Sequence, residues 1–190
     1  MKLKNLILFL SFCLILPACK NSSSSQKSDE KMILIVYYSH SFGNTREVAK
    51  QIHQKFGGDM VEIELVEPYP DDFDLVVAMV GEERENNFRP EIKNIVADMS
   101  IYDVVFIGSP IWYGTASTPV LSFMEKYDFS GKTIIPFYTC GKGDEGSYVS
   151  SLKRFCPNST FLPGFGNSQP EREEGVHIEK VQDYLDKLSF

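Results

Sequence analysis

The chain has 190 residues, of which 43% are hydrophobic and 24% are charged, and its formal net charge is −7. This is the composition of a soluble protein, and the length suits one domain with a sizeable core. The acidic balance argues against nucleic-acid binding, which needs a basic face. It is compatible with basic partner surfaces, or with a solvated acidic surface that has no partner.

The first residues predict an export signal rather than part of the fold. MKLKN is basic and is followed by LILFLSFCLILPA, an apolar stretch of 13 residues, which is too short to span a bilayer as a helix. The stretch leads into Leu16-Pro17-Ala18-Cys19, which resembles a bacterial lipobox, where the cysteine is lipid-modified and becomes the new N-terminus. We therefore expect a lipoprotein signal peptide at 1–18, with a plain signal peptide or an uncleaved anchor as the alternatives.

Residues 19–31 predict the lipidated cysteine, Cys19, and a flexible tether, because NSSSSQKSDEK at 21–31 is polar and rich in serine. Acyl chains contribute about 0.8 kcal/mol per buried methylene. They would hold the domain at 32–190 on a membrane surface. We expect the protein in the bacterial cell envelope, lipid-anchored to a membrane outside the cytoplasm.

Beyond the tether, apolar runs rich in β-branched residues alternate with segments of helical periodicity. The predicted strands are 32–38, 60–65, 104–108, 133–138 and a weaker one at 160–165. The predicted helices are 45–56, 71–84, 117–127, 146–155 and 172–188. Five alternations predict an α/β fold, in which a parallel sheet carries helices on both faces. Residues 82–101 exceed a minimal connection and are either a partly ordered loop or a short extra helix.

Three loops of unusual composition follow predicted strands. They are SHSFGNT at 39–45, SPIWYGT at 109–115 and TCGKGDEGS at 139–147. In open α/β sheets, ligands bind beyond the carboxyl ends of the strands. We therefore expect these loops to meet at one ligand site.

The first loop has the chemistry of a phosphate site. Ser39, Ser41, Asn44 and Thr45 offer side-chain donors, and Gly43 permits close backbone approach. The loop opens a helix, whose first amides have no intrahelical partner. It lacks the lysine of the Walker pattern, and the chain has no GxGxxG, which argues against nucleotide hydrolysis and the usual dinucleotide site. A helix cap in a surface turn is the alternative.

The second and third loops have the chemistry of a site for a flat ring. Trp112, the only tryptophan, is adjacent to Tyr113, and exposed aromatic neighbours gain nothing unless something covers them. A flat aromatic ligand, a neighbouring loop or a partner chain could do so. Glycines at 141, 143 and 146 let the third loop wrap closely around a ring and present backbone amides. A flexible turn is the alternative for that loop.

From residue 32 to its end, the chain resembles the flavodoxins, particularly their bacterial flavodoxin-like relatives. The family's phosphate loop reads hydroxyl, any residue, hydroxyl, glycine, any residue, threonine. Its counterparts in this sequence are Ser39, His40, Ser41, Gly43, Asn44 and Thr45. IGSPIWYG at 107–114 is close to the family's form, and the whole segment 102–141 has the family's order. The resemblance implies a flavodoxin-like three-layer sandwich, a five-stranded parallel sheet in the order 2-1-3-4-5, and bound FMN.

The resemblance also implies which residues bind the cofactor. The first loop would hold the phosphate, with His40 contributing its backbone amide. Trp112 and Tyr113 would flank the isoalloxazine, and Cys140 would border it through its backbone. The full predicted set is Ser39, His40, Ser41, Gly43, Asn44, Thr45, Ser109, Pro110, Ile111, Trp112, Tyr113, Gly114, Thr139, Cys140, Gly141 and Gly143. No cluster has metal-ligand spacing, so no metal site is expected.

Two features depart from the family pattern. Phe42 lengthens the phosphate loop by one residue, so either the loop bulges or Phe42 points inward and narrows the site. The third loop carries Lys142, Asp144 and Glu145. Carboxylates beside a flavin disfavour its anionic reduced form and a lysine favours it, so the sequence does not give the sign of the net effect.

The topology argues against a disulfide between Cys140 and Cys156. Cys140 would lie at the carboxyl edge of the sheet, whereas Cys156 follows a helix that runs back to the opposite edge. Ten helical residues span about 15 Å, and bridged Cα atoms lie about 6 Å apart. We expect Cys156 to be packed in the core.

Three functions are compatible with these patterns. The leading hypothesis is an FMN-binding electron-transfer protein on a membrane surface, which meets an unidentified redox protein. The second is an FMN-dependent reductase of quinones or similar acceptors, fed by NAD(P)H or another donor. The third is a flavin-free binding module on the same fold, for which Phe42 is the best support.

Overall fold

The structure is a computed structural model and describes residues 31–93, 96–141, 145–168 and 177–190. The predicted signal peptide at 1–18, the predicted lipid site Cys19 and the tether up to residue 30 lie outside the described residues, as does Gly143. Within the described ranges, no helix has the length and apolar character needed to cross a bilayer.

Among the residues that the structure describes, seven strands form one mostly parallel sheet. They are β1 (Ile33–Tyr37), β2 (Asp59–Glu62), β3 (Val104–Trp112), β4 (Thr115–Ala116), β5 (Thr133–Cys140), β6 (Thr160–Phe161) and β7 (Phe165–Ser168). The parallel order is β2-β1-β3-β5-β6, and β7 also pairs with β5. This is the expected order 2-1-3-4-5, because β4 is a two-residue antiparallel addition to β3 and the fifth predicted strand is divided into β6 and β7.

Helices cover both faces of the sheet and overlap the predicted segments. Those described are α1 (Asn44–Phe56), α2 (Phe73–Glu85), α3 (Thr118–Met124), α4 (Tyr148–Lys153) and α5 (His177–Lys187). The predicted helical residues 172–176 lie outside the described ranges. For the connection at 82–101, the sequence did not decide between a loop and a short extra helix. It contains the end of α2 and a 3-10 helix at Met99–Ile101.

Two apolar layers hold the three-layer sandwich together. One packs the sheet against α1 and α5 through side chains such as Ile52, Phe106 and Val181. The other packs it against α2, α3 and α4, and Tyr148 and Phe123 are fully buried there. All five residues of β1 are buried, which is why this strand reads as a continuous apolar run instead of an alternating one.

The fifth predicted strand is interrupted opposite Pro136 of β5. The Ile134 carbonyl accepts a hydrogen bond from Leu162 N at 3.0 Å, and strand alternation directs position 136 to the same side. Pro136 has no N–H to donate, so the ladder breaks there. Pairing resumes at Phe137 and Phe165, after one more residue on the outer strand than on β5. The interruption is therefore a bulge caused by proline.

The two cysteines of the described domain are both buried, and they are not bonded to each other. Cys156 lies in the core layer beneath α2, α3 and α4, which confirms that it is packed. Burial, with a smaller contribution from the Asp128 carboxylate, raises the pKa of the Cys156 thiol to about 12. Its thiolate, the nucleophilic form, is therefore disfavoured at neutral pH.

Candidate functional site

The three predicted loops meet around one cavity of about 440 Å³ at the carboxyl ends of β1, β3 and β5. Its lining residues are His40, Ser41, Phe42, Asn44, Thr45, Phe73, Val76, Val77, Val80, Pro110, Ile111, Trp112, Tyr113, Thr139, Cys140 and Gly141. The sheet thus brings most of the predicted residues together, although they are spread along the chain from His40 to Gly141.

The first loop bulges outward at Phe42. Ser41 and Gly43 have φ angles of 53° and 71°, so both adopt left-handed backbone. Phe42 lies between them and is 86% exposed. The extra residue is therefore accommodated by a bulge, and the alternative that Phe42 points inward is wrong. Left-handed backbone is inexpensive for glycine but strained for serine.

Helix α1 begins at this loop, with its N-terminus at the cavity. Its N-cap, Gly43, makes no side-chain capping bond, and the amides of Asn44 and Thr45 have no intrahelical acceptor because they belong to the first turn. Aligned amides and the helix dipole favour an anion at such a position. Ser39 does not line the cavity; its hydroxyl accepts a hydrogen bond from Arg46 N at 3.3 Å.

The guanidinium of Arg46 lies beside the first loop and is paired with a carboxylate. A Cβ at Gly43 would lie 3.4 Å from Arg46 Nη1. Nε and Nη2 of Arg46 lie 2.8 and 2.5 Å from the two carboxylate oxygens of Glu62 on β2. Hydrogen bonding to Glu62 raises the pKa of Arg46. An anion at α1 would meet the amides and neutral side chains of the first loop, with the Arg46 guanidinium beside Gly43 already paired with Glu62.

A buried pair of hydroxyls joins the first and third loops. Thr45 on α1 and Thr139 on β5 place their Oγ1 atoms 2.9 Å apart. The two residues are 1% and 5% exposed, and both line the cavity. The bond holds the end of β5 against the N-terminus of α1, so the two loops face the same space.

Trp112 forms one wall of the cavity and is held by three other rings. Its ring centroid lies 5.5 Å from that of Tyr69, 5.6 Å from that of Tyr38 and 6.1 Å from that of His40, all in edge-to-face geometry. Such pairs contribute about 0.5–1.5 kcal/mol beyond their buried area. The sequence posed packing against a neighbouring loop and covering a ligand as alternatives, but the geometry allows Trp112 to do both.

A carboxylate on α2 anchors this aromatic cluster. Tyr69 Oη and Thr118 Oγ1 donate hydrogen bonds to Glu83 Oε2 at 2.6 and 2.5 Å. Burial, followed by the hydrogen bond to Glu83, raises the pKa of Tyr69 well above its ordinary value. The phenol therefore stays protonated and keeps its ring in place beside Trp112. Sequence reasoning missed Tyr69 and Glu83, because no local pattern marks a contact between a loop and a helix.

Tyr113 lies at the turn of a β-hairpin and reaches across to α2. Tyr113 and Gly114 have φ angles of 50° and 72°, as in the two-residue turns that join antiparallel strands. Tyr113 Oη donates to the Val77 carbonyl at 2.8 Å. A Cβ at Gly81 would lie 3.0 Å from this hydroxyl, so glycine leaves room for the contact. The prediction of a loop from residue 109 onward is corrected, because β3 continues to Trp112.

Helix α2 supplies a wall that the sequence analysis did not assign to the site. Phe73, Val76, Val77 and Val80 line the cavity, and Phe73 is 73% exposed. The run FDLVVAMV at 73–80 is apolar on nearly every side. A surface helix normally has one apolar stripe that faces the core, so apolar residues outside that stripe indicate a second face of α2 that makes apolar contacts.

Three other predicted residues of the described chain also lie outside the cavity lining. Gly43 caps α1. Ser109 is fully buried, and its Oγ accepts from Ser117 N at 2.9 Å at the start of α3. The Gly114 carbonyl accepts from Ser147 N and Oγ at 2.7 and 3.0 Å, which fixes the second loop to the third.

The lining has the donor set for a molecule with an anionic end and a flat ring. It offers a helix N-terminus on one side, an aromatic wall on another, and no Asp, Glu, Lys or Arg among the described lining residues. Its volume lies within the range of about 300–1,000 Å³ that is typical of small-molecule sites. Over the described part of the chain, no three His, Cys, Asp or Glu side chains are grouped closely enough to hold a metal ion.

Comparisons with known proteins agree with this geometry. A family model described as Flavodoxin matches residues 32–178. The flavodoxin of Haemophilus influenzae is 28% identical over 121 residues, which are 62% of this chain and 53% of that protein. The chain therefore spans about half the length of the curated relatives it matches.

Solved structures resemble the chain over more of its length. A protein from Bacteroides eggerthii, described provisionally as a flavoprotein, is 29% identical with a TM-score of 0.68, over 82% of this chain and 96% of that one. A flavoprotein in complex with FMN from Lactobacillus acidophilus is 25% identical with a TM-score of 0.63, over 76% of this chain and 97% of that one. Because the family model covers most of the domain that carries this cavity, the chain belongs to the flavodoxin family.

Proposed function

We propose that this chain is an FMN-binding electron-transfer protein tethered to a membrane surface. The observation that carries the proposal is the single cavity in which the N-terminus of α1 and the ring of Trp112 face the same space. A phosphate and a flat ring joined in one molecule match these two features. The FMN complex of the similar flavoprotein from Lactobacillus acidophilus supports the choice of ligand.

The residues of this chain would bind and orient the cofactor. The amides of Asn44 and Thr45 and the hydroxyl of Ser41 would bind the phosphate. Trp112 and Tyr113 would contact the ring, whose other edge would lie along the backbone of Thr139, Cys140 and Gly141. FMN supplies the redox chemistry when bound, and the protein supplies position, dielectric and electrostatics.

An absorbance spectrum of residues 31–190 tests the proposal. Both core layers lie within these residues, so this part contains the whole described fold. The purified protein should be yellow, or become yellow with FMN, and should bleach on reduction. Replacing Trp112 by Ala should weaken FMN binding, whereas Phe88→Ala should not, because Phe88 is exposed and does not line the cavity. A protein that stays colourless with excess FMN would exclude this function.

Membrane tethering is supported by the lipobox-like sequence before Cys19 and the polar segment after it. The expected mature protein begins at an acylated Cys19, which intact mass measurement and membrane fractionation would detect. Cys19→Ser should abolish both the added mass and the membrane association. A mature chain that lacks the acyl mass would contradict the tether without affecting the flavin assignment.

A second candidate is an FMN-dependent reductase of small acceptors. The exposed apolar side chains of Phe42 and Phe73 at the rim of the cavity favour it, because they offer a small acceptor an apolar surface beside the cofactor site. NAD(P)H oxidation with a quinone by the isolated domain would distinguish it, since a carrier should show negligible turnover without its partner. The bulge that leaves Phe42 86% exposed supports the flavin-binding candidates over a flavin-free module.

A further inference from the structure

Two tyrosines beside Trp112 differ in what their phenols bind. The ring centroids of Tyr69 and Tyr38 lie 5.5 and 5.6 Å from that of Trp112, both edge to face. Both tyrosines are buried, with exposed fractions of 7% and 5%. Tyr69 Oη donates to Glu83 Oε2 at 2.6 Å, whereas no hydrogen bond joins the Tyr38 phenol to any residue that the structure describes. The two rings are therefore matched in position and burial, and they differ in the proton acceptor.

Glu83 connects the Tyr69 phenol to solvent. Its side chain is partly exposed and lines a second depression, of about 290 Å³, beside Met79 and Asn86. Thr118 Oγ1 donates to the same carboxylate oxygen at 2.5 Å, which fixes the carboxylate against Tyr69. Glu83 does not line the candidate cofactor cavity. A proton that reaches Glu83 can therefore leave to water without crossing that cavity.

Oxidation of a tyrosine requires an acceptor for its phenolic proton. A phenol that has lost an electron is a strong acid, so the electron leaves most readily when a base takes the proton in the same step. Such a base must lie within about 2.6–3.2 Å of the donor, and Glu83 meets this condition for Tyr69. Since both rings lie against Trp112, Tyr69 is better equipped than Tyr38 to give the indole an electron.

We propose that Tyr69 and Glu83 form a proton-coupled relay that returns an electron to Trp112 after a one-electron oxidant has removed one. In this step Tyr69 passes one electron to the Trp112 radical cation, the phenolic proton moves to Glu83, and a neutral tyrosyl radical remains. If the indole has already released its N–H proton to water, it regains one from water. A small reductant of the ascorbate class then gives an electron to Tyr69, whose proton returns from Glu83.

The relay would protect the aromatic wall of the cavity. Trp112 lines the cavity and is the only tryptophan of the chain, and a tryptophan radical that persists reacts with oxygen and is lost irreversibly. Transfer moves the radical to Tyr69, a buried ring that does not line the cavity. The relay goes beyond the proposed function and needs no bound cofactor, so either proposal can fail without the other.

Pulse radiolysis with the azidyl radical tests the transfer in residues 31–190 without FMN. Azidyl is a small one-electron oxidant that attacks indole faster than phenol, so the first radical forms at Trp112. In the unsubstituted protein, the indolyl absorbance should decay as the tyrosyl absorbance rises, and this rate should fall in deuterated water. Tyr69→Phe should slow the decay of the indolyl radical by about 100-fold, as expected when a positioned proton transfer is lost.

Two further variants separate the relay from a structural anchor. Glu83→Gln keeps an oxygen that accepts the hydrogen bonds from Tyr69 and Thr118 but has no basic site, so the transfer should slow by about 100-fold while the Tm changes little. The matched control Tyr38→Phe removes the other phenol beside Trp112 and should leave the rate unchanged. Equal rates in Tyr69→Phe and Tyr38→Phe would overturn the relay, as would a Glu83→Gln variant that is as fast as the unsubstituted protein.

Accumulated damage is the second measurement. After repeated exposure to azidyl radicals, peptide mass analysis should find more oxidised Trp112 in Tyr69→Phe and Glu83→Gln than in Tyr38→Phe or the unsubstituted protein. Equal oxidation of Trp112 in all four proteins would show that Tyr69 does not return an electron to it. FMN titration of the same four proteins tests the proposed function separately, and a failure to bind FMN leaves the outcome for the relay unaffected.

Discussion

Replacing Thr45 by Val separates the structural role of its hydroxyl from its role in cofactor binding. Valine has the shape of threonine without the hydroxyl, so Thr45→Val leaves Thr139 Oγ1 without the partner 2.9 Å away. Both residues are almost completely buried. An unsatisfied buried hydroxyl costs about 1–3 kcal/mol, and in a domain of this size each kcal/mol lowers the Tm by about 2–4 °C.

The double variant Thr45→Val/Thr139→Val should regain most of that stability, because replacing both partners by apolar groups of the same shape is nearly neutral. Chemical unfolding of all four proteins gives the coupling free energy. FMN affinity, measured by titration, should fall in both variants that lack the Thr45 hydroxyl if this hydroxyl also contacts the phosphate. If the two single losses simply add in the double variant, the hydroxyl pair does not stabilise the junction of the two loops and this reasoning is refuted.

Three further predictions concern the sheet and its buried groups. Gly108→Ala should lower the free energy of unfolding by about 3 kcal/mol or more, because the alanine Cβ would lie 2.2 Å from Phe137 Cζ. Adding Phe137→Leu should recover part of this free energy, measured by urea unfolding, and an unchanged urea midpoint for Gly108→Ala would contradict the tight packing. Burial and then Glu62 raise the pKa of Tyr37 from 10.0 to about 12, so the folded state holds the phenolic proton more tightly than the unfolded state. The resulting stability is complete below pH 10 and is lost as pH rises from 10 to 12. In urea unfolding, Tyr37→Phe should reduce this fall of the free energy of unfolding with pH. The Cys156 thiol, with a pKa of about 12 and 3% exposure, should react with a disulfide reagent at pH 8 only after unfolding. In residues 31–190 carrying Cys140→Ser, Cys156 is the one remaining cysteine, and rapid labelling of this folded variant would be inconsistent with its burial.

The sequence predicts most of the architecture because periodicity reports burial. β1 and β3 are buried on both faces, so their apolar runs are unmistakable, and the three loops after strands are placed by the parallel topology alone. The phosphate loop and Trp112 could be recognised by residue type. Their convergence on one cavity follows from the sheet order.

What the sequence does not predict depends on contacts between distant segments. β3 continues through Pro110 and Ile111 because they pair with β5 and β4, although Ser-Pro is typical of a loop. The Glu83 anchor of Tyr69 joins residues 14 positions apart through a tertiary hydrogen bond. The α2 wall was also missed, because its apolar residues resemble those of an ordinary core helix.

The interrupted outer strand has a consequence for solubility at high local concentration. Parallel sheets end in strands whose free amides can recruit the edge of another molecule. Here one border is the four-residue β2, which begins with Asp59 and ends with Glu62, and the other is divided into short pieces opposite Pro136. Neither border offers a long, regular template, so molecules crowded together at high concentration should resist assembly into fibrils.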